Sequence, residues 1–185
     1  MKTHTDTKPV ADVLRDAAVI VTYTDEQGRH DEVRTAALDA ARRAGAQLIL
    51  YPLELYSPLS NPLPTEWSAE GDRASYGDPL SVEDLELLGQ EWLAAQVLDA
   101  TRSGVDAGAG LPESRGVGAM VEYAREHRAA AVLLPREALA DAGPLERLLG
   151  RDTKEAVEAE RKEHVAVLLV DPSGAISHAS QEEAA

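Results

Sequence analysis

Residues 17–53, AAVIVTYTDEQGRHDEVRTAALDAARRAGAQLILYPL, decide the fold. Residues 17–24 are a near-continuous apolar run with β-branched members. That composition suits a strand buried on both faces. Residues 25–30 form a polar turn containing Gly28. From Asp31 to Ala44 the period changes: Val33, Ala36, Ala37, Ala40, Ala41 and Ala44 make one apolar stripe at helical spacing. Gly45 ends the helix as a residue free to adopt positive φ. Residues 47–53 then repeat the buried-strand pattern. Strand, helix, strand is a βαβ unit, and its crossover is expected to be right-handed.

The second organising stretch, residues 129–170, lies at the other end of the chain. It reads as a strand (130–134), a loop (135–144), a helix broken at Gly150, and a strand (165–170). Between the two stretches, residues 54–80 are rich in Pro, Ser, Gly and Asp and too long for an ordinary connection. This insertion holds Tyr56, Trp67 and Tyr76. Ser81 begins a helix expected to run to Thr101, with Ser81 and Asp84 as a weakened capping box. Leu85, Leu88, Trp92 and Ala95 are its expected buried face. Residues 104–111, rich in Gly and Ala, read as a poor edge strand. Residues 114–127 are a further helix, with Val117, Met120, Val121 and Ala124 on one side.

Alternating strands and helices in this order predict an α/β fold: a single doubly wound domain, a five-stranded parallel sheet with helices on both faces. The expected layout is an N-terminal arm (1–16), with a short helix at 11–15, then the domain (17–172, with the insertion 54–80) and a flexible tail (173–185).

Composition narrows the function classes. The formal net charge is −15 and aromatics are 4% of the chain. Such a field repels nucleic acid and anionic lipid, and few rings are available for base stacking. Neither nucleic acid nor membrane is expected as a partner. With no cysteine, thiolate catalysis and disulfides are excluded. The polar residues 1–10 carry no apolar leader segment, and a cytoplasmic protein is expected. Gly-x-Ser-x-Gly, Walker, His-Glu-x-x-His and EF-hand patterns are absent, so no enzymatic activity is expected.

Three stretches together resemble the universal stress protein family. One is Val19-Ile-Val-Thr-Tyr-Thr-Asp-Glu with its Ala-rich helix and Gly45-Ala46-Gln47-Leu48. Another is Met120-Val-Glu-Tyr-Ala-Arg-Glu-His leading into Ala130-Ala-Val-Leu-Leu. The last is Leu145-Glu-Arg-Leu-Leu-Gly150 followed by His164-Val-Ala-Val-Leu-Leu-Val. The resemblance implies strand order 3-2-1-4-5, a role in stress adaptation, and a homodimer paired through the last strand, Val165 to Val170. Some members of the family bind ATP. The main rival is another doubly wound fold, such as a flavodoxin-like one.

ATP-binding members carry Gly-x-x-Gly, nine residues, then Gly-Ser or Gly-Thr. Glycines let backbone approach phosphate at a helix N-terminus. Here Gly150 survives, while the two earlier positions are Glu137 and Ala140. Pro135 stands where a short insertion would put the strand-ending glycine, and it has no N–H to donate. Arg151 replaces the small hydroxyl residue. Asp152 reads as an N-cap with Thr153 and Lys154 following and Glu155 at the third helical position, which puts a carboxylate where a phosphate would sit. Glu137 and Asp141 add negative charge. Like charges about 4 Å apart cost roughly 4 kcal/mol at an effective dielectric near 20. Arg136, Arg147 and Arg151 could offset this and receive an anion. The family's nucleotide-contacting Asp aligns with Thr24, with Asp25 one place late.

The crevice residues, if any ligand binds, are thus Thr24, Asp25, Pro135, Arg136, Gly150, Arg151, Asp152 and Thr153. The favoured expectation is a regulatory dimer that binds an as yet unknown protein partner, with no tight ATP binding and no cofactor. The alternative is a nucleotide-binding stress sensor using ATP or another adenine nucleotide. An adenine-nucleotide α-hydrolase-like enzyme would need a Ser/Gly-rich run after the first strand, which residues 24–28 do not supply. Thr24, Asp25, His30, Asp31 and Glu32 could form a metal site, but a solvated turn and helix start is the favoured reading.

Overall fold

The computed structural model describes residues 8–53, 77–112, 116–136 and 165–179. Its elements are α1 (Val10–Arg15), β1 (Val19–Thr24), α2 (Asp31–Ala44), β2 (Gln47–Pro52), α3 (Val82–Leu87), α4 (Glu91–Arg102), β3 (Ala107–Ala109), α5 (Val117–Glu126), β4 (Ala131–Pro135), β5 (Ala166–Val170) and β6 (Ile176–His178). The sheet order is β3-β2-β1-β4-β5-β6. The first five strands pair in parallel and β6 runs antiparallel to β5.

β1, β2 and β4 bury successive residues, not alternate ones, so both faces of the sheet are covered. Leu48 of β2 lies beneath a groove that Arg34 and Leu38 of α2 share with Ala100 of α4. Three positions along the same strand, Tyr51 faces the opposite way and meets Tyr123 of α5, with ring centroids 5.0 Å apart. Thus α2 and α4 cover one face and α5 the other. α2 ends as its sequence demands: Gly45 has φ +66°, and Ala46 N–H donates to Ala41 O.

Two expectations need correction. The helix expected over residues 81–101 is two helices. Gly89 takes φ +71° between α3 and α4, a conformation that interrupts a right-handed helix. The break changes the phase of the buried stripe. In α4 the buried residues are Leu93, Ala94, Val97 and Ala100, while Ala95 is exposed and Trp92 is half-buried. The capping box at Ser81 and Asp84 does form, with both reciprocal bonds in place.

The sheet has six strands, not five. Residues 176–178, assigned to the tail by composition, pair with β5 in the register Leu168↔His178, Leu169↔Ser177 and Val170↔Ile176. The turn explains why. Asp171 Oδ1 accepts from Ser173 N–H, Ser173 hydroxyl and Ala175 N–H, and Gly174 adopts φ +83°. β6 lies along the outer side of β5, the edge named for pairing through Val165 to Val170.

The arm is docked. Leu14 of α1 enters the core, and Lys8 reaches Asp16 at 2.7 Å. Lys8 O also faces His178 Nε2 at 2.8 Å. On the other side of the sheet, Leu80 makes an antiparallel bridge to Ala109, with N···O distances of 2.8 and 3.0 Å. A Cβ on Gly108 would lie 3.0 Å from Pro79 Cβ, and one on Gly110 would lie 2.7 Å from the Tyr123 ring. Among the described residues no helix is long and apolar enough to cross a membrane.

Candidate functional site

β1 and β4 are neighbours, but their connections depart to opposite sides, β1 towards β2 and β4 towards β5. This is the switch point of a doubly wound sheet, and the crevice outside its carboxyl edge is where ligands sit in such folds. The sequence places Thr24 and Asp25 at one side of it and Pro135 and Arg136 at the other.

Thr24 ends β1 and is 4% exposed. Strand alternation from Ile20, the register partner of Leu48, turns it to the α2 and α4 face. There its hydroxyl donates a short hydrogen bond to Gln96 Oε1 of α4. Gln96 Nε2 donates onward to the Asp25 carbonyl at 3.1 Å. One carboxamide therefore satisfies a donor and an acceptor at the end of β1. Asp25 is 8% exposed. Its carboxylate accepts from Tyr23 OH at 3.2 Å and Arg29 N–H at 3.2 Å, with Arg29 Nε at 3.9 Å. These bonds close the 25–29 turn and direct the carboxylate into the protein.

The acidic residues at the start of α2 are used locally. His30 Nδ1 lies 3.2 Å from Glu32, and its ring stands edge-on to Tyr23. Asp31 accepts from Arg34 at 3.1 Å. Among the described residues no group of three metal-ligating side chains converges. The turn is a helix start with its acids at the positive end.

Pro135 closes β4 opposite Val170. Arg136 continues the ladder, its N–H donating to Val170 O at 2.7 Å. Its guanidinium turns to the hairpin: Nη2 donates to Ser177 Oγ at 2.6 Å, and Nη1 lies 4.0 Å from Asp171. The hydrogen bond from the Ser173 hydroxyl, then those from the Ala175 and Ser173 amides and the nearby Arg136 charge, hold the Asp171 carboxyl below the usual carboxylate range. Arg136, one of the three cations that could receive an anion, is engaged with the β5–β6 hairpin. Glu137, Ala140, Asp141, Arg147, Gly150, Arg151, Asp152 and Thr153 lie outside the described residues.

The structure thus brings Thr24 and Asp25 together, and adds a residue that sequence reasoning missed. Gln96 sits in Glu91-Trp-Leu-Ala-Ala-Gln, where a polar residue on an amphipathic helix reads as solvent-facing. No local signal ties it to Thr24, which is 72 positions away.

No family model matches the sequence, and no curated protein matches it. Several solved structures are similar. A universal stress protein in complex with cAMP superposes with TM-score 0.49 at 21% identity, covering 84% of this chain and 97% of that one. A universal stress protein from Archaeoglobus fulgidus gives TM-score 0.46 at 16% identity, covering 82% and 91%. A member of the universal stress protein family from Burkholderia pseudomallei gives TM-score 0.45 at 19% identity, covering 83% and 95%. The order of the five parallel strands, 3-2-1-4-5, is read from this chain's own sheet.

Proposed function

We propose that this chain is a universal stress protein-like regulatory module, cytoplasmic and non-catalytic, that acts through protein partners and does not bind ATP tightly. One observation carries the reading. At the described carboxyl edge of β1 and β4, the polar side chains are already bonded within the chain: Thr24 to Gln96, Asp25 to Tyr23 and Arg29, Arg136 to Ser177. A nucleotide would have to replace these bonds before gaining its own, and only the surplus would appear as affinity. The sequence supports the same reading through Glu137, Ala140 and Asp152 at positions that should favour phosphate.

Titration calorimetry of the purified protein with ATP and with AMP tests it. The expected outcome is no saturable binding at micromolar concentration. A micromolar Kd for ATP overturns the proposal in favour of a nucleotide-binding stress sensor. A homodimer belongs to the same proposal, with the contact moved from β5 to the outer side of β6. Light scattering at micromolar concentration checks the mass, and a monomer mass removes the dimer from the reading.

A further inference from the structure

We propose that the groove between α2 and α4 binds a small zwitterion, its carboxylate held by Arg34 and its cationic group by Asp99. The groove lies towards the other end of the sheet from the β1 turn. Leu48, on its floor, is the second residue of β2, and Asp99 and Ala100 belong to the last turn of α4. Thr24 lies level with Pro52, four residues further along β2, or about 13 Å at the rise of a strand.

Size, charge and an unfilled donor point to this ligand class. The groove holds about 210 Å³, against roughly 300–1,000 Å³ for pockets that take drug-sized ligands. It suits a molecule of a few carbons and is too small for a nucleotide. Its two walls carry opposite charges. On α2, Arg34 Nη2 donates to Asp31 Oδ1 at 3.1 Å, while the adjoining Nε is buried and has no acceptor. These two donors form one edge of the guanidinium, which fits both oxygens of a carboxylate. Asp31 fills half of it, and its side chain is 58% exposed. An exposed pair of this kind holds weakly, so a ligand carboxylate can displace Asp31 and satisfy both donors. On α4, the Asp99 carboxylate has no partner among the described residues; Ser103 bonds only to its backbone carbonyl, at 2.9 Å. Between the walls, Leu48 and Ala100 are buried and Leu38 is half-buried, which gives the carbon chain an apolar floor. A simple anion would meet Asp99 and a protein of net charge −15, whereas a molecule of zero net charge is not repelled.

The test follows backbone amide shifts of the full chain by NMR during titration. The probes are L-valine and γ-aminobutyrate, which differ in the spacing of their charges, with butyrate and butylamine as single-charge controls. At least one zwitterion is expected to saturate at millimolar concentration, moving amides in residues 34–38 and 99–103 and not those of residues 24–25. The tighter probe gives the spacing. Each control should bind at least tenfold more weakly. Arg34→Lys, which keeps the charge but loses the paired donors, and Asp99→Asn should each weaken the zwitterion at least tenfold. Asp31→Ala should tighten it, a gain that misfolding does not imitate. No saturable shift in the groove for either zwitterion overturns the proposal. Equal binding of butyrate, binding unmoved by Asp99→Asn, or no tightening in Asp31→Ala overturns it too. Failure here leaves the ATP titration, and the reading it tests, untouched.

Discussion

Beyond β3 the sheet ends against Pro79 and Leu80; beyond β5 it ends against β6. At the first edge the closure is one of shape. Leu80 is 1% exposed, Gly108 leaves just enough room for Pro79, and Gly110 lies under the Tyr51 and Tyr123 rings. Asp78 is held from α5 by Tyr123 OH at 2.7 Å and His127 Nε2 at 3.2 Å. At the second edge the closure is made by short polar side chains: Asp171 shapes the turn, Ser177 receives Arg136, and His178 meets Lys8 O. Sheet edges need cover against pairing with other chains. The two covers respond to different variables, volume at one edge and charge at the other.

Removing volume should have the larger effect. Leu80→Ala is expected to destabilise the protein by about 2–5 kcal/mol, the range for truncating a fully buried leucine. The urea midpoint measures it, and a loss below about 1 kcal/mol would mean that the β3 edge is not closed by packing. At the other edge, Ser177→Ala removes one hydrogen bond to a guanidinium that is 36% exposed. The expected cost is about 0.5–1.5 kcal/mol, read from the same midpoint. A cost equal to that of Leu80→Ala would erase the distinction between the edges.

Acid should separate the edges most gently. The Asp171 carboxyl sits below its ordinary value in the folded protein, so its contribution is present at neutral pH. It is lost as pH falls below ~4, through the lower folded-state value. Hydrogen-exchange protection of the Ala175 amide, which donates to Asp171, is expected to fall on acidification before that of the Ala109 amide, which donates to the Leu80 carbonyl. Parallel loss at both amides would show that the turn carboxylate does not control its edge.

The same contrast explains what could be read from the chain. β1, α2 and β2 were legible because each signal is local: an apolar run, a single stripe, a glycine stop. Gly89 was harder, because the apolar spacing of Leu85, Leu88 and Trp92 continues across it and masks the change of phase. β6 has three residues in a polar neighbourhood, too short for periodicity to register. Its signal was the turn, Asp171-Pro172-Ser173-Gly174, whose last two residues composition alone assigned to a tail. At the candidate site, Thr24 and Asp25 were named because the family's nucleotide-contacting Asp aligns with Thr24. Gln96 was not, because its partners are close only once α4 has packed over β1. The bond from Arg136 to Ser177 was hidden for the same reason: its serine belongs to a strand the reading did not contain.

The contact between Lys8 O and His178 spans 170 positions. During synthesis Lys8 emerges well before its partner. At ~5–20 residues per second, a typical pace of translation, roughly 10–30 s separate the two. β1, β2 and β4 can pair on the ribosome in that interval and α1 can pack against α2, whereas the contact between Lys8 O and His178 waits for β6. The bond that ties the first described residue to the last strand is thus among the last to form, and a nascent chain stalled before β6 would present the bare side of β5 to its surroundings.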